Sequence, residues 1–177
     1  MGFKGEQHPG VQPSTDNTAG FCLNHTMLRI KNPDTALAFY SRVFGMQLLR
    51  RLDFQEMQFS LYFLANLQGD EEVPEDKEKR TVWTFKQRGL LELTHNWGSE
   101  HQKEFSYHDG NAEPQGFGHI CFNVPNLEAA EKWFDENNVS FIKRSDQGKM
   151  KNVIFVRDVD GYWIEVVQAD LLAKLGD

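Results

Sequence analysis

At 177 residues, 40% hydrophobic and 25% charged, the chain has room for one domain or two small fused modules and an ordinary soluble profile. No apolar run approaches the roughly 20 residues of a membrane-spanning helix. A net charge of −7 without any basic run argues against a nucleic-acid surface. The first twenty residues are polar and lack the apolar stretch of a secretory leader, so a cytoplasmic setting is expected. Cys22 and Cys121 are the two cysteines, and both are expected to be small buried hydrophobes in a reducing compartment.

In chain order, residues 1–19 are rich in Gly, Pro, Ser and Thr and read as a flexible arm. Residues 23–30 alternate as a strand. Asn32-Pro33 starts a helix, with a capping side chain followed by proline in the first turn, and Gly45 ends it. Strands are expected near 46–53 and 57–65. A charged, turn-rich insertion follows over 66–80, and Val82-Trp83-Thr84-Phe85 fits either a strand or a short helix. Leu90 to Thr94 reads as a strand carrying Glu92, and 99–115 as a polar connector.

The order then repeats. A strand is expected over 117–124, a helix over 127–137 capped by Asn126, and strands near 139–144, 152–157 and 162–168. Asp158-Val159-Asp160-Gly161 is the turn between the last two strands. A short helix from Ala169 to Leu175 closes the chain. The fold class predicted is α+β, with two tandem βαβββ modules forming curved sheets around a cleft. Their bounds are 20–98, with the insertion, and 116–177.

The two halves match residue by residue. Asn24-His25-Thr26-Met27 and Gly118-His119-Ile120-Cys121 each open a strand on a histidine, and without a gap Phe39-Tyr40 falls on Trp133-Phe134. Each half also ends in an apolar run around one glutamate, Glu92 between Leu91 and Leu93, and Glu165 between Ile164 and Val166. A carboxylate inside such a strand needs a cation or solvent. Two imidazoles and two carboxylates suit a borderline divalent metal such as Zn, Ni, Co, Mn or Fe. The remaining histidines, His8, His95, His101 and His108, suit surface or supporting positions. Gly116-Phe117-Gly118 opens a strand and is not a dinucleotide fingerprint.

Several stretches together carry a resemblance: TMLRIKNP at 26–33, FYSRVFGM at 39–46, FSLYFLA at 59–65, LELTHNWG at 91–98, GFGHI at 116–120, QGKMK at 147–151 and DVDGYWIEV at 158–166. Over about 23–168 the chain resembles the glyoxalase I family within the vicinal-oxygen-chelate superfamily. The resemblance implies metal ligands His25, Glu92, His119 and Glu165, with Glu165 as main base and Glu92 as partner carboxylate. It implies glutathione contacts at Arg29, Asn96, Lys149 and Met150, with Lys143 nearby. Phe54, Leu61 and Phe63 would line an apolar pocket or simply pack the core.

The implied reaction is isomerisation of the methylglyoxal–glutathione hemithioacetal to S-D-lactoylglutathione, which detoxifies methylglyoxal with glutathione as co-substrate. The implied assembly is a homodimer, with His25 and Glu92 from one subunit and His119 and Glu165 from the other, and with no membrane or nucleic-acid partner. Two departures stand out. Animal members carry Gln where this chain has His25; bacterial nickel-activated members have His there but lack the insertion. The longer signal, the insertion, favours zinc, with nickel and cobalt as alternatives. The family's arginine before GFGH is Gln115 here, which removes one cationic contact to glutathione. The competing readings are an epimerase or thiol transferase of the same superfamily, or a metal-free binding member.

Overall fold

The computed structural model describes residues 5–6, 8–69 and 71–173. The first module comprises β1 (His25–Ile30), α1 (Pro33–Phe44), β2 (Gln47–Phe54), β3 (Phe59–Ala65), α2 (Lys77–Lys86) and β4 (Leu90–Asn96). The second comprises β5 (His119–Asn123), α3 (Leu127–Glu136), β6 (Ser140–Lys143), β7 (Val153–Arg157) and β8 (Trp163–Val167). Each module builds one four-stranded sheet, in the orders β1-β4-β3-β2 and β5-β8-β7-β6. The helical crossover lets the first strand run parallel to the last, while the other pairs are antiparallel. This is the expected α+β repeat.

Local chemistry sets the boundaries. The Asn32 side chain accepts from the Asp34 amide, Pro33 fills the first helical position, and Gly45 closes α1 at φ 65°. Asn126 caps α3 through the Ala129 amide. The undecided 82–85 segment lies inside α2, which Asp76 caps through the Lys79 amide, so the charged insertion runs into a helix. The C-terminal segment is a 3-10 turn over Ala169–Leu172 and not an α-helix. Residues 174–175 of the expected helix and 1–4 and 7 of the expected arm lie outside the described residues.

One core serves both modules. Leu28, Ile30, Leu91 and Leu93 from the first sheet and Ile154, Val156, Ile164 and Val166 from the second face it, with α1 and α3 contributing Phe39, Tyr40, Val43, Leu127 and Phe134. Phe44 stacks on Phe122 with centroids 4.3 Å apart, and the Trp133 indole donates to the Val43 carbonyl at 3.0 Å. The cysteine expectation is overturned, since both Cys22 and Cys121 are exposed. Cys121 alternates with Ile120 and Phe122, so it falls on the face opposite the core.

A buried polar tie fastens the modules. Tyr40 donates its hydroxyl to Asp158 Oδ2 at 2.7 Å, and the Asp160 and Tyr162 amides donate to Asp158 Oδ1. The Lys31 amide donates to Asp160 Oδ1 at 2.8 Å, and Lys31 Nζ donates to the Phe105 carbonyl of the connector. Burial pushes the Asp158 carboxyl up to about 6, against the hydrogen bonds that favour its ionised form. A carboxyl raised on folding contributes stability that is complete below its unfolded value, about 3.9, and is lost as pH rises through about 6. Between about pH 4 and 6 the wild-type chain should lose on the order of 2 kcal/mol relative to Asp158→Asn in urea unfolding. Parallel pH curves for the two proteins would contradict this.

Candidate active site

Strand alternation that sends Leu91 and Leu93 into the core turns Glu92 to the other face of the first sheet. His25 pairs with Leu90 across the parallel β1–β4 ladder, two residues from Glu92, so the imidazole reaches the carboxylate diagonally: His25 Nε2 lies 2.8 Å from Glu92 Oε2. The second sheet repeats this. His119 pairs with Trp163, two residues from Glu165, and its Nε2 lies 3.3 Å from Glu165 Oε2. The predicted ligands therefore come together as two pairs, each on the face of its sheet turned away from the shared core. A single chain does not gather all four around one cleft. Among the described residues, no three of His, Cys, Asp and Glu form a metal-holding group.

The donor chemistry fits a divalent cation. The Asn24 amide nitrogen donates to the Thr84 and Gln87 carbonyls at 3.2 and 2.8 Å, which turns Asn24 Oδ1 toward His25 Nδ1 at 2.7 Å. Oδ1 only accepts, so Nδ1 carries the proton and Nε2 is left as the ligating atom. That nitrogen and Glu92 Oε2 face each other at 2.8 Å, a spacing at which a bound cation or a proton between them satisfies both. Two donors do not complete a metal site, which usually takes at least three protein ligands. Two such pairs would suffice.

The pairs differ in how firmly they are held. Glu92 is only 8% exposed, and the Thr94 hydroxyl donates to its Oε1 at 2.9 Å. The position equivalent to Thr94 beside Glu165 is Val167, which offers no hydroxyl. His25 packs edge-on against Phe63 and Phe85, whereas His119 meets Phe155. Thr94 and Asn24 escaped the sequence reading. Thr94 had a signal in its i+2 spacing from Glu92, which puts both on one strand face. Asn24 had only its adjacency to His25.

The other predicted residues divide between the sheets. Arg29 shares the β1 face of His25, and Asn96 shares the β4 face of Glu92, with its amide donating to the Tyr107 hydroxyl at 3.0 Å. Phe54, Leu61 and Phe63 lie on that same side; Phe63 is 1% exposed, in a cluster with Leu49, Ala65 and Leu90 that also takes Leu61 and Trp83 of α2. Lys143, Lys149 and Met150 belong to the second module. Lys143 Nζ donates to the Val153 carbonyl at 2.5 Å, and burial, then Lys151, lower its pKa. Among the other histidines, buried His95 pairs with Glu100 at 2.7 Å, and His101 is exposed.

A groove of about 700 Å³ runs beside the second pair, between the end of α1 and β5, lined by Phe44, Met46, Phe117, His119, Cys121 and Trp133 among others. Burial, followed by the neighbouring Glu165, pushes the Cys121 thiol up to about 12. Although exposed, Cys121 should therefore alkylate slowly near neutral pH, and Glu165→Gln should speed it several-fold by removing the adjacent charge. Mass spectrometry of iodoacetamide-treated protein checks this; an unchanged rate would remove Glu165 as a cause.

The paired βαβββ sheets, each with a histidine on its first strand and a glutamate on its last, define a class. Residues 22–166 match the model of the Glyoxalase/Bleomycin resistance protein/Dioxygenase superfamily, and the chain belongs to that family. It is 54% identical over 177 residues to a lactoylglutathione lyase of Pseudomonas aeruginosa, covering 99% of each protein. It is 40% identical to glyoxalase I of Saccharomyces cerevisiae, over 94% of this chain but 51% of that protein. Among solved structures it is similar to the trypanothione-dependent glyoxalase I of Leishmania major, with 26% identity and a TM-score of 0.60 over 85% of this chain and 88% of that one.

Proposed function

We propose that this chain is a lactoylglutathione lyase that isomerises the hemithioacetal of methylglyoxal and glutathione to S-D-lactoylglutathione. The observation that carries the reading is the repeated His–Glu pair, 2.8 and 3.3 Å apart, on equivalent strands of two like modules. The 54% identity with the Pseudomonas aeruginosa lyase over nearly the whole of both proteins supports it.

His25, Glu92, His119 and Glu165 would hold one divalent metal, zinc by preference and nickel or cobalt as alternatives. Both pairs face away from the chain's own core, so we assign the complete site to a homodimer in which each chain supplies one pair to each of two sites. The yeast relative, of which this chain spans about half, is long enough to contain two such units. A bound divalent cation supplies Lewis-acid charge that stabilises negative charge developing on the substrate's two oxygens.

The chain's residues do the proton work. A hydrogen on carbon beside a carbonyl is too weakly acidic for a free carboxylate in water, so the base must be placed against it in a shielded site. Glu165 suits the role of base, being the less buried carboxylate with the longer histidine contact. It takes the proton from one carbon and returns it to the neighbour, exchanging carbonyl and hydroxyl without a redox cofactor. Glu92, held by Thr94, is the fixed partner. Arg29 offers a fork to a glutathione carboxylate, Asn96 an amide to its peptide groups, and Lys149, Met150 and Lys143 the other end. Gln115 brings no cation of its own. Phe54, Leu61 and Phe63 give the acyl end an apolar wall. No described helix is long and apolar enough to cross a membrane, and we assign the enzyme to the cytoplasm.

Chelator-stripped protein should lack activity with methylglyoxal plus glutathione, followed by the ultraviolet absorbance of the thioester, and zinc should restore it. Glu165→Gln should lower kcat by at least about 100-fold. Restoration by nickel alone would reverse the metal preference, and activity with neither metal would overturn the reaction.

A further inference from the structure

We infer that Asn24 is a positioning residue for the metal site: it fixes His25 with Nε2 as the ligating nitrogen and ties that ligand to the C-terminal end of α2. The inference rests on the proposed metal-dependent function but concerns a residue that binds neither metal nor substrate. Its basis is one side chain joining three partners. Asn24 Nδ2 donates to the Thr84 carbonyl at 3.2 Å and to the Gln87 carbonyl at 2.8 Å, and Oδ1 lies 2.7 Å from His25 Nδ1.

The two carbonyls decide the amide's orientation. Carbonyls only accept, so the NH2 group must face them, and the remaining oxygen must face the imidazole. That oxygen accepts from Nδ1–H, which leaves Nε2, 2.8 Å from Glu92 Oε2, as the nitrogen available to ligate. The Asn24 backbone adds a further tie, its carbonyl accepting at 2.9 Å from the amide of Leu90, the first residue of the strand that carries Glu92. Phe85 of α2 packs edge-on against both His25 and Phe63, so the helix confines the ring from a second side.

The second module has no counterpart. Gly118 occupies the place of Asn24, and no helix is inserted before β8. Among the described residues, His119 Nδ1 has no hydrogen bond. The helix into which the charged insertion runs thereby acquires a use: its C-terminal end supplies the carbonyls that orient the residue that orients His25. In this arrangement the first pair is the rigid half of the site and the second the adjustable half.

Two substitutions separate orienting the ligand from fastening the helix. Asn24→Ala removes acceptor and donor together. Asn24→Asp keeps an acceptor for His25 Nδ1–H but loses the donor to the Thr84 and Gln87 carbonyls. Zinc affinity of the full-length protein is read by competition with a chromophoric chelator, and amide exchange in 84–87 reports on the helix end. Asn24→Ala should bind zinc about 10- to 100-fold more weakly, whereas Asn24→Asp should stay near wild type. Both should exchange faster over 84–87.

Equal zinc affinity in Asn24→Ala and the wild type would overturn the inference. So would an equal loss in both variants, which would make Asn24 a helix fastener only. A wild-type chain that binds no divalent metal would overturn the inference and the metal-dependent reading together. Wild-type zinc binding that depends on Asn24, without turnover of methylglyoxal and glutathione, would support the inference and defeat the proposed reaction.

Discussion

Strand alternation is the constraint on which the rest depends. In β4 and β8 every second residue enters a core shared by both modules, so the glutamates between them must face the other way. The core that joins the modules thus also separates the two His–Glu pairs. Tyr40, Asp158, Asp160 and Lys31 reinforce this with buried hydrogen bonds across the module boundary. A chain that holds its halves back to back so firmly cannot fold its own pairs onto one ion. The proposed homodimer answers this by pairing each half-site with one from another copy.

The two pairs share a register but are not equivalent. Strand register is the same in both, with histidine diagonal to glutamate across a parallel ladder. The surroundings differ. Glu92 is buried, receives the Thr94 hydroxyl and lies close to His25, while Glu165 has Val167 at the equivalent position and a longer histidine contact. The division of labour proposed for the two carboxylates rests on this difference. A carboxylate that must move a proton between two carbons needs latitude, and one that must hold a charge in place needs restraint. The insertion helix, packed through Trp83 and Phe85 over Phe63 of the first sheet only, extends the restraint.

Much of this was legible in the residues. The repeat exposed both modules, the histidine at each first strand and the glutamate at each last strand, because period-two alternation and apolar neighbours are local signals. Caps at Asn32, Asn126 and Gly45 marked helix ends for the same reason. The helix over 77–86 was not legible: its charged sequence has little apolar periodicity, and its start depends on the Asp76 cap. The exposed cysteines were misread because a small apolar residue carries no mark of which sheet face it takes. Asn24 was invisible for a different reason: its partners at 84 and 87 are distant in sequence and use backbone carbonyls, which leave no trace in side-chain identity.

Complementation between two disabled chains tests the central claim most directly. One chain would carry His25→Ala with Glu92→Gln, the other His119→Ala with Glu165→Gln, each inactive alone. If every site takes one pair from each of two chains, unfolding and refolding the mixture yields dimers with one intact site and one doubly disabled site. Activity should then return to about a quarter of the wild-type level, since half the dimers are mixed and half their sites are whole. No recovery in a mixture shown to contain mixed dimers would contradict the account and place each working site within a single chain.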